Sequence, residues 1–206
     1  SRGEICCIFG TSGSGKSTLL NQLAGMEKPT RGEVLIGGVP ISRLNENQLA
    51  AFRQQHLGFV FQSYNLLPNL TATENVAMPL MFRGVPRKQR EEAARKILCQ
   101  VGLSHRLDHF PRQMSGGQQQ RAGIARAFIA RPDVVFADEP TGNLDSKTTV
   151  EIMDMICSFS RDYHQTIILV THDPEMASYA DRIVTLIDGE IVRNQLNSKE
   201  NKHHES

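Results

Sequence analysis

The feature that most constrains this chain is a glycine-rich segment between an apolar run and a helix-like one. Residues 4–10, EICCIFG, lead into GTSGSGKST (10–18), and the helical pattern that follows ends at Gly25. The segment from Gly10 to Ser17 fits the pattern G-x-x-x-x-G-K-[ST], in which glycines let the backbone N–H groups turn inward at a helix N-terminus. We therefore expect a phosphate-binding loop made of Gly10, Thr11, Ser12, Gly13, Ser14, Gly15, Lys16, Ser17 and Thr18.

Two side chains of this loop have predicted roles. Lys16 would reach the β- and γ-phosphates of a nucleotide, and the hydroxyl of Ser17 would bind Mg²⁺. The alternative is a glycine-rich turn without function. The strand before the loop and the helix after it are the context that the motif requires, so they favour the phosphate loop.

Several short apolar segments predict strands of a parallel sheet. Four of them are nearly continuous in apolar residues, which suits strands buried on both faces: 4–10, 57–62, 133–139 and 166–173. Helical patterns follow the first, third and fourth, so the expected fold class is α/β. Asp188-Gly189 lies between two apolar runs within 181–192 and predicts a two-residue hairpin. Residues 32–38 predict another short strand.

The same four strands end at polar residues. The first runs into the phosphate loop, and the others end at Gln62, at Asp138-Glu139 and at His172. Ligands bind beyond the carboxyl ends of parallel strands, so we expect these residues to share one site. Asp138 is placed to hold Mg²⁺, and Glu139 to orient or deprotonate an attacking water. Adjacent carboxylates alone could be surface charges, but a neighbouring phosphate loop favours this role.

Residues 63–117 have a different, helical character. Residues 86–102 begin with proline, end with glycine and carry apolar residues at helical spacing, which predicts an amphipathic helix. Residues 71–82 predict a second helix that is bent or broken at Pro79. We therefore expect a helical lobe over 63–117, inserted into an α/β nucleotide-binding core formed by 1–62 and 118–206.

Composition limits the partners. A net charge of +1 argues against a surface built for nucleic acid, and no apolar run approaches the roughly 20 residues that span a bilayer. Service to a membrane would therefore require a partner. The four cysteines, Cys6, Cys7, Cys99 and Cys157, form no C-x-x-C pair, and we expect buried, reduced thiols.

The segment MSGGQ (114–118) predicts a second glycine-rich helix start. Ser115 and Gln118 have the spacing of a capping box. A capping box does not require Gly116 and Gly117, and each glycine costs about 1 kcal/mol relative to alanine within a helix. Two glycines therefore predict close approach by another group. The exposed N–H groups and the serine hydroxyl would form a second anion site.

With this segment and the motifs before it, the chain resembles the nucleotide-binding subunit of an ATP-binding cassette (ABC) transporter. MSGGQ is similar to the family's signature sequence LSGGQ, with Met114 as a volume-conserving replacement of leucine. The resemblance covers essentially all 206 residues, and the motifs keep the family's order. They are the phosphate loop, the Q-loop glutamine Gln62, the signature, Walker B at Asp138-Glu139, the D-loop NLDS (143–146) and the switch histidine His172. The resemblance implies a P-loop NTPase sheet core with an inserted helical lobe.

The resemblance also implies an ATP-dependent homodimer. In this family each ATP lies between one copy's phosphate loop and the partner's signature, where Ser115 and Gly117 would contact the γ-phosphate. Gly116, Gln118 and Asp145 would belong to the same nucleotide site. Ser17, Gln62 and Asp138 would organise Mg²⁺, Glu139 would polarise water and His172 would sense the γ-phosphate.

The other implied partner is an integral-membrane permease. It would dock near residues 64–79 and hold the subunit, in the cytoplasm, on the inner face of the membrane. Residues 59–76 and 137–148 resemble ATPases of lipoprotein-release and macrolide-export systems. A regulatory ABC ATPase that moves a membrane partner without transport is the main alternative.

Three other classes fit less well. A soluble ABC ATPase acting on ribosomes or DNA usually carries two cassettes or long coiled coils. A GTPase needs an N-K-x-D segment, which is missing here, and a small-molecule kinase would not explain MSGGQ.

One family feature has no counterpart in the sequence. ABC ATPases carry an aromatic residue, well before the phosphate loop, that stacks on adenine. Only nine residues precede Gly10, and Phe9 is too close to it for that role. We therefore expect the opening strand or strands to be missing, either because the sequence is truncated or because this protein lacks them, which leaves adenine without an assigned contact.

Overall fold

The computed structural model describes residues 2–197. Its strands are β1 (Ile5–Phe9), β2 (Leu35–Ile36), β3 (Val39–Pro40), β4 (Leu57–Phe61), β5 (Val134–Asp138), β6 (Thr166–Thr171), β7 (Arg182–Ile187) and β8 (Glu190–Leu196). Its α-helices are α1 (Lys16–Leu23), α2 (Glu46–His56), α3 (Ala72–Phe82), α4 (Arg87–Gln100), α5 (Gly116–Phe128), α6 (Ser146–Tyr163) and α7 (Pro174–Ala177). None of the helices within these residues has the length and apolar character that crossing a bilayer requires.

Six strands form the main sheet in the order β4-β5-β6-β1-β7-β8. The first five are parallel to their neighbours, and only β8 runs antiparallel, as the second strand of a hairpin. The hairpin turn is Asp188-Gly189, and both residues have positive φ, as a type I′ turn requires. The α/β prediction and the hairpin prediction are confirmed. The short strand predicted within 32–38 is β2, which pairs with β3 in a separate two-stranded sheet.

Apolar side chains cover both faces of the sheet, as the continuous apolar strands predict. In β1 the neighbours Cys7 and Ile8 belong to two different hydrophobic clusters, because successive strand residues point to opposite faces. Leu169 and Val170 of β6 divide in the same way. One cluster contains buried residues of α3, α4, α5 and α6, and the other contains residues of α1 and α2.

The region between β4 and β5 is helical. Helix α3 packs against α4 and α5, and a capping box of Thr71 and Glu74 begins it. Of the bend or break predicted at Pro79, the break is wrong, because α3 continues through this residue to Phe82. Five α3 residues are buried, so packing outweighs the loss of one helical hydrogen bond at Pro79, which has no N–H to donate. The boundaries 63 and 117 remain a prediction, since one hydrophobic cluster includes Val76 of α3 and Val60 of β4.

The cysteines differ from the prediction in part. All four are free thiols, and Cys7 and Cys157 are buried, but Cys6 is half-buried and Cys99 is exposed. Cys99 lies near the end of α4, on its polar face, where the helical pattern places no core residue. Burial, with Cys6 beside it, raises the pKa of the Cys7 thiol to about 12.

Candidate functional site

The phosphate loop lies between β1 and α1, at the carboxyl edge of the sheet. Gly13 and Gly15 have positive φ, and Gly15 is the N-cap of α1. A Cβ at Gly10 would overlap the carbonyl oxygen of Leu186 and lie 2.6 Å from Ser14 Oγ. The loop therefore needs glycine at these positions for two reasons, the left-handed backbone and the close approach of β7.

Lys16 is buried inside the loop that it helps to form. Its Nζ donates to the carbonyl oxygen of Thr11 at 2.7 Å. The hairpin turn closes the other side, where the N–H of Gly189 donates to the carbonyl oxygen of Ser14 at 3.0 Å. The ammonium group is thus held over the loop by the backbone, rather than extended into solvent.

Asp138 ends β5, opposite Phe61 of β4 and Val170 of β6. Burial and then the charge of Glu139 raise the pKa of the Asp138 carboxyl, and the ammonium of Lys16 acts in the opposite direction. The charges of Lys16 and Asp138 are therefore close enough to interact. The four strand ends lie at the same edge of the sheet, in the order β4, β5, β6 and β1, and the interaction of Lys16 with Asp138 links two of them.

Glu139 and His172 are in direct contact. His172 Nδ1 lies 2.8 Å from Glu139 Oε1, and only 24% of the Glu139 side chain is exposed. Glu139 has a φ of 42°, a left-handed conformation that is costly for a residue with a side chain. Its N–H donates to the carbonyl of Val170 at 2.9 Å, and its carbonyl accepts from Gly142 N–H at 3.1 Å. These two bonds hold the strained backbone in place.

Gln62 follows β4 and contacts the D-loop. Its Nε2 donates to Asn143 Oδ1 at 3.4 Å, and Asn143 Nδ2 donates to the Gln62 carbonyl at 3.2 Å. A Cβ at Gly142 would lie 2.6 Å from Gln62 Nε2. Sequence reasoning did not identify Gly142 or Asn143 as neighbours of Gln62, because no local pattern links positions 80 residues apart.

The signature segment begins α5 with the predicted capping box. The N–H of Gln118 donates to Ser115 Oγ, and the N–H of Ser115 donates to Gln118 Oε1. The predicted close approach at the two glycines occurs within the chain. A Cβ at Gly116 would lie 2.7 Å from the Tyr64 hydroxyl, and one at Gly117 would lie 2.9 Å from Thr148 Cγ2.

Comparison with known proteins identifies the family. A family model described as ABC transporter matches residues 1–142. The chain belongs to the ABC transporter family. It is 48% identical over 190 residues to the Escherichia coli K12 "Uncharacterized ABC transporter ATP-binding protein YbbA", covering 92% of this chain and 83% of that protein. It is also 48% identical over 201 residues to the macrolide export ATP-binding/permease protein MacB of Vibrio parahaemolyticus, covering 96% of this chain and 30% of that one.

A solved structure agrees with the fold. The dimeric post-hydrolysis structure of the ATP-binding cassette MJ0796, bound to ADP and Pi, aligns with a TM-score of 0.86 at 42% identity. The alignment covers 95% of this chain and 86% of that chain. The predicted ABC ATPase fold and the resemblance to macrolide-export ATPases are confirmed. This ABC transporter subunit binds and hydrolyses ATP.

Proposed function

We propose that two copies of this chain close head to tail around two ATP molecules and drive a membrane permease. The observation that carries this proposal is the convergence of Lys16, Asp138 and the Glu139–His172 pair at one edge of the sheet. The phosphate loop supplies the cradle, with residues 10–18 as the nucleotide contacts. Removal of the γ-phosphate would release the two copies from each other.

The residues at this edge fit Mg²⁺ as the accompanying cation. Mg²⁺ usually takes one or two carboxylates and completes its shell with substrate phosphates and water. Among residues 2–197, no three His, Cys, Asp or Glu side chains cluster as a metal site, so one carboxylate with neutral oxygen donors is the available set. Ser17, Gln62 and Asp138 would hold the ion, which would neutralise charge on the phosphates. The raised pKa of Asp138 supports this assignment. A bound cation would offset both the cost of burying the charged carboxylate and its repulsion from Glu139.

Glu139 is the group we assign to the attacking water. Its carboxylate is largely buried and tied to His172, so its orientation is fixed before a water arrives. The contact joins the ends of β5 and β6. A γ-phosphate bound near His172 would therefore influence the position of the Glu139 carboxylate, which acts on water. We therefore assign Glu139 as general base and His172 as its partner.

The signature region forms the second half of the nucleotide site, and it would contact the nucleotide bound by the partner copy. Ser115 and Gln118 bond to each other's backbone, which leaves the first turn of α5 as an ordered helix start. We assign Ser115, Gly116, Gly117 and Gln118, together with Asp145, to the nucleotide held by the second copy.

The permease would dock on the helical region that follows Gln62. Arg126 of α5 donates to the carbonyls of Tyr64 and Asn65, so the loop after Gln62 is tied to the signature helix. Leu67 and Phe82 are large apolar side chains exposed on this region. The relative MacB is named as an ATP-binding/permease protein, which supports a permease partner here and a position on the inner face of the membrane. The cargo class that the resemblance favours is lipoproteins, peptides or drugs.

The test is the mass in solution of the Glu139→Gln variant, measured by light scattering with and without ATP-Mg²⁺. A shift from monomer to dimer on adding ATP, abolished by Ser115→Arg, is the expected result. A monomer in both conditions, with ATP binding confirmed by titration, would contradict closure of the isolated chain around ATP. Dimers that survive Ser115→Arg would contradict the signature assignment.

A further inference from the structure

Thr148, on the first turn of α6, contacts two motifs at once. Its Oγ1 donates to Asp145 Oδ2 at 2.6 Å, and its backbone N–H donates to Asp145 Oδ1 at 3.0 Å. Its methyl carbon Cγ2 lies 2.9 Å from the position that a Cβ at Gly117 would occupy. One side chain therefore lies between the D-loop carboxylate and the signature helix.

The two branches of Thr148 cannot move independently. A β-branched side chain on a helix has few staggered rotamers, and rotation about Cα–Cβ moves the hydroxyl and the methyl together. A group that displaces the methyl would therefore also pull the hydroxyl away from Asp145. Gly117 is the residue that leaves room for the methyl.

An ion pair also links the two helices that carry these residues. One turn further along both, Arg121 of α5 and Glu151 of α6 form an ion pair at 2.5 Å. Thr148 and Gly117 also line the same open cavity, of about 350 Å³, together with Ser115. Sliding of either helix to relieve crowding at Gly117 would stretch this ion pair.

We propose that Thr148 is a positioning residue that fixes Asp145 and Gly117 relative to each other. This inference rests on the proposed function, in which both residues face the nucleotide held by the partner copy. The hydroxyl orients the D-loop carboxylate, and the methyl sets the distance at which α5 packs. The two hydrogen bonds also lower the pKa of Asp145, which keeps it charged and oriented.

Three substitutions separate the two branches. Thr148→Ser removes the methyl and keeps the hydroxyl. Thr148→Val keeps the methyl position and removes the hydroxyl. Gly117→Ala adds the Cβ that collides with the methyl and so forces the hydroxyl away from Asp145.

The experiment is a double-mutant cycle on the ATPase rate with Mg²⁺ present. Gly117→Ala is expected to lower kcat at least tenfold with Thr148 in place, and less than threefold in the Thr148→Ser background. In the Thr148→Val background the collision remains and the hydroxyl is already lost, so the double variant should be no more active than either single variant. An equal loss with Thr148 in place and in the Thr148→Ser background would overturn the proposal, because the added methyl would then act directly on nucleotide or partner.

Two further readouts separate positioning from folding and from the proposed function. Binding of a fluorescent ATP analogue to the single copy should change less than twofold in Thr148→Val, since the phosphate loop is untouched, while kcat falls.

The melting temperature tests the contact without nucleotide. Gly117→Ala should lower it with Thr148 present and raise it in the Thr148→Ser background, because alanine is the better helix former. The same shift in both backgrounds would overturn the contact. A wild-type chain that binds ATP without hydrolysing it would contradict the proposed function instead.

Discussion

The Nδ1 atom of His172 lies 2.8 Å from Oε1 of Glu139, and this contact joins the ends of β5 and β6. The backbone of Glu139 is left-handed, with a φ of 42°. Two hydrogen bonds hold it in this conformation: its N–H donates to the carbonyl of Val170, and its carbonyl accepts from the N–H of Gly142. Strained backbone conformations of this kind persist when neighbouring contacts hold them, and they cluster at functional sites, where a side chain must point in one direction. Here that direction is toward His172, at the end of β6.

Replacement of Glu139 by Gln should separate ATP binding from hydrolysis. The amide keeps the size of the carboxylate but cannot accept a proton from water, so kcat should fall by about 10²–10⁴-fold, the usual contribution of a general base. ATP binding should persist, because the phosphate loop is unchanged. Steady-state ATPase assays and nucleotide titration check both parts. Glu92→Gln, on the exposed face of α4, is the matched control and should hydrolyse ATP at the wild-type rate. A Glu139→Gln rate near that of the control would refute the base assignment.

Local patterns predicted most of the sheet and the phosphate loop. Strands buried on both faces leave continuous apolar runs, and a helix N-terminus that must curl around phosphate leaves a glycine pattern, so both are visible in sequence. The turn at Asp188-Gly189 was equally local. These features require no knowledge of distant residues.

What the sequence did not predict depends on contacts between distant positions. The glycines of the signature are required by Tyr64 and Thr148, which lie on other elements, and Gly142 by Gln62. The helix through Pro79 survives because tertiary packing outweighs one lost hydrogen bond. Neither effect leaves a periodic signal along the chain.

Asp138→Asn should stabilise the nucleotide-free chain while it abolishes ATP hydrolysis. Burial and Glu139 raise the pKa of Asp138, so the folded chain holds this proton more tightly than the unfolded chain, whose Asp pKa is about 3.9. The charged carboxylate therefore becomes a cost to folding as the pH rises from that value through the raised pKa. The melting temperature at pH 7.5 should increase by about 1–3 °C, since partial solvent screening keeps the gain below about 1 kcal/mol.

This gain should shrink as the pH is lowered toward the ordinary Asp range. Scanning calorimetry at several pH values measures it, with Asp154→Asn, an exposed residue of α6, as the control. A variant that is less stable than wild type at pH 7.5 would show that Asp138 is compensated within the folded chain, by Lys16 above all.

Arg83 should matter to stability far more than its partial exposure suggests. It follows α3 and donates to the carbonyls of Gln54 and Gln55, at the end of α2, and of Ala130, after α5. Burial lowers the pKa of its guanidinium, as expected for a charge held by carbonyls rather than water. Arg83→Met should cost about 2–4 kcal/mol, because charged hydrogen bonds contribute about 1.5–3 kcal/mol each and some would be replaced by water.

Urea unfolding of Arg83→Met and Arg87→Met compares two arginines near the same chain reversal. Among the residues that the structure describes, the exposed Arg87 bonds only to Glu91, one turn along α4, so its replacement should cost much less than that of Arg83. Equal losses for the two variants would mean that the three carbonyl bonds of Arg83 contribute little to folding.

Thiol labelling should distinguish the cysteines by burial. Cys99 is exposed on α4 and should react with a maleimide within minutes at pH 7.5. Cys7 is fully buried in β1 and its pKa of about 12 leaves almost no thiolate, so it should react only when the chain unfolds. Burial and then the charge of Glu4 raise the pKa of the half-buried Cys6, so it should also react slowly. Mass spectrometry of the native chain should therefore show one fast adduct that Cys99→Ser abolishes. In urea the same variant should take up label at the remaining thiols. Fast labelling of native Cys99→Ser at Cys7 would show that β1, and with it the base of the phosphate loop, opens readily.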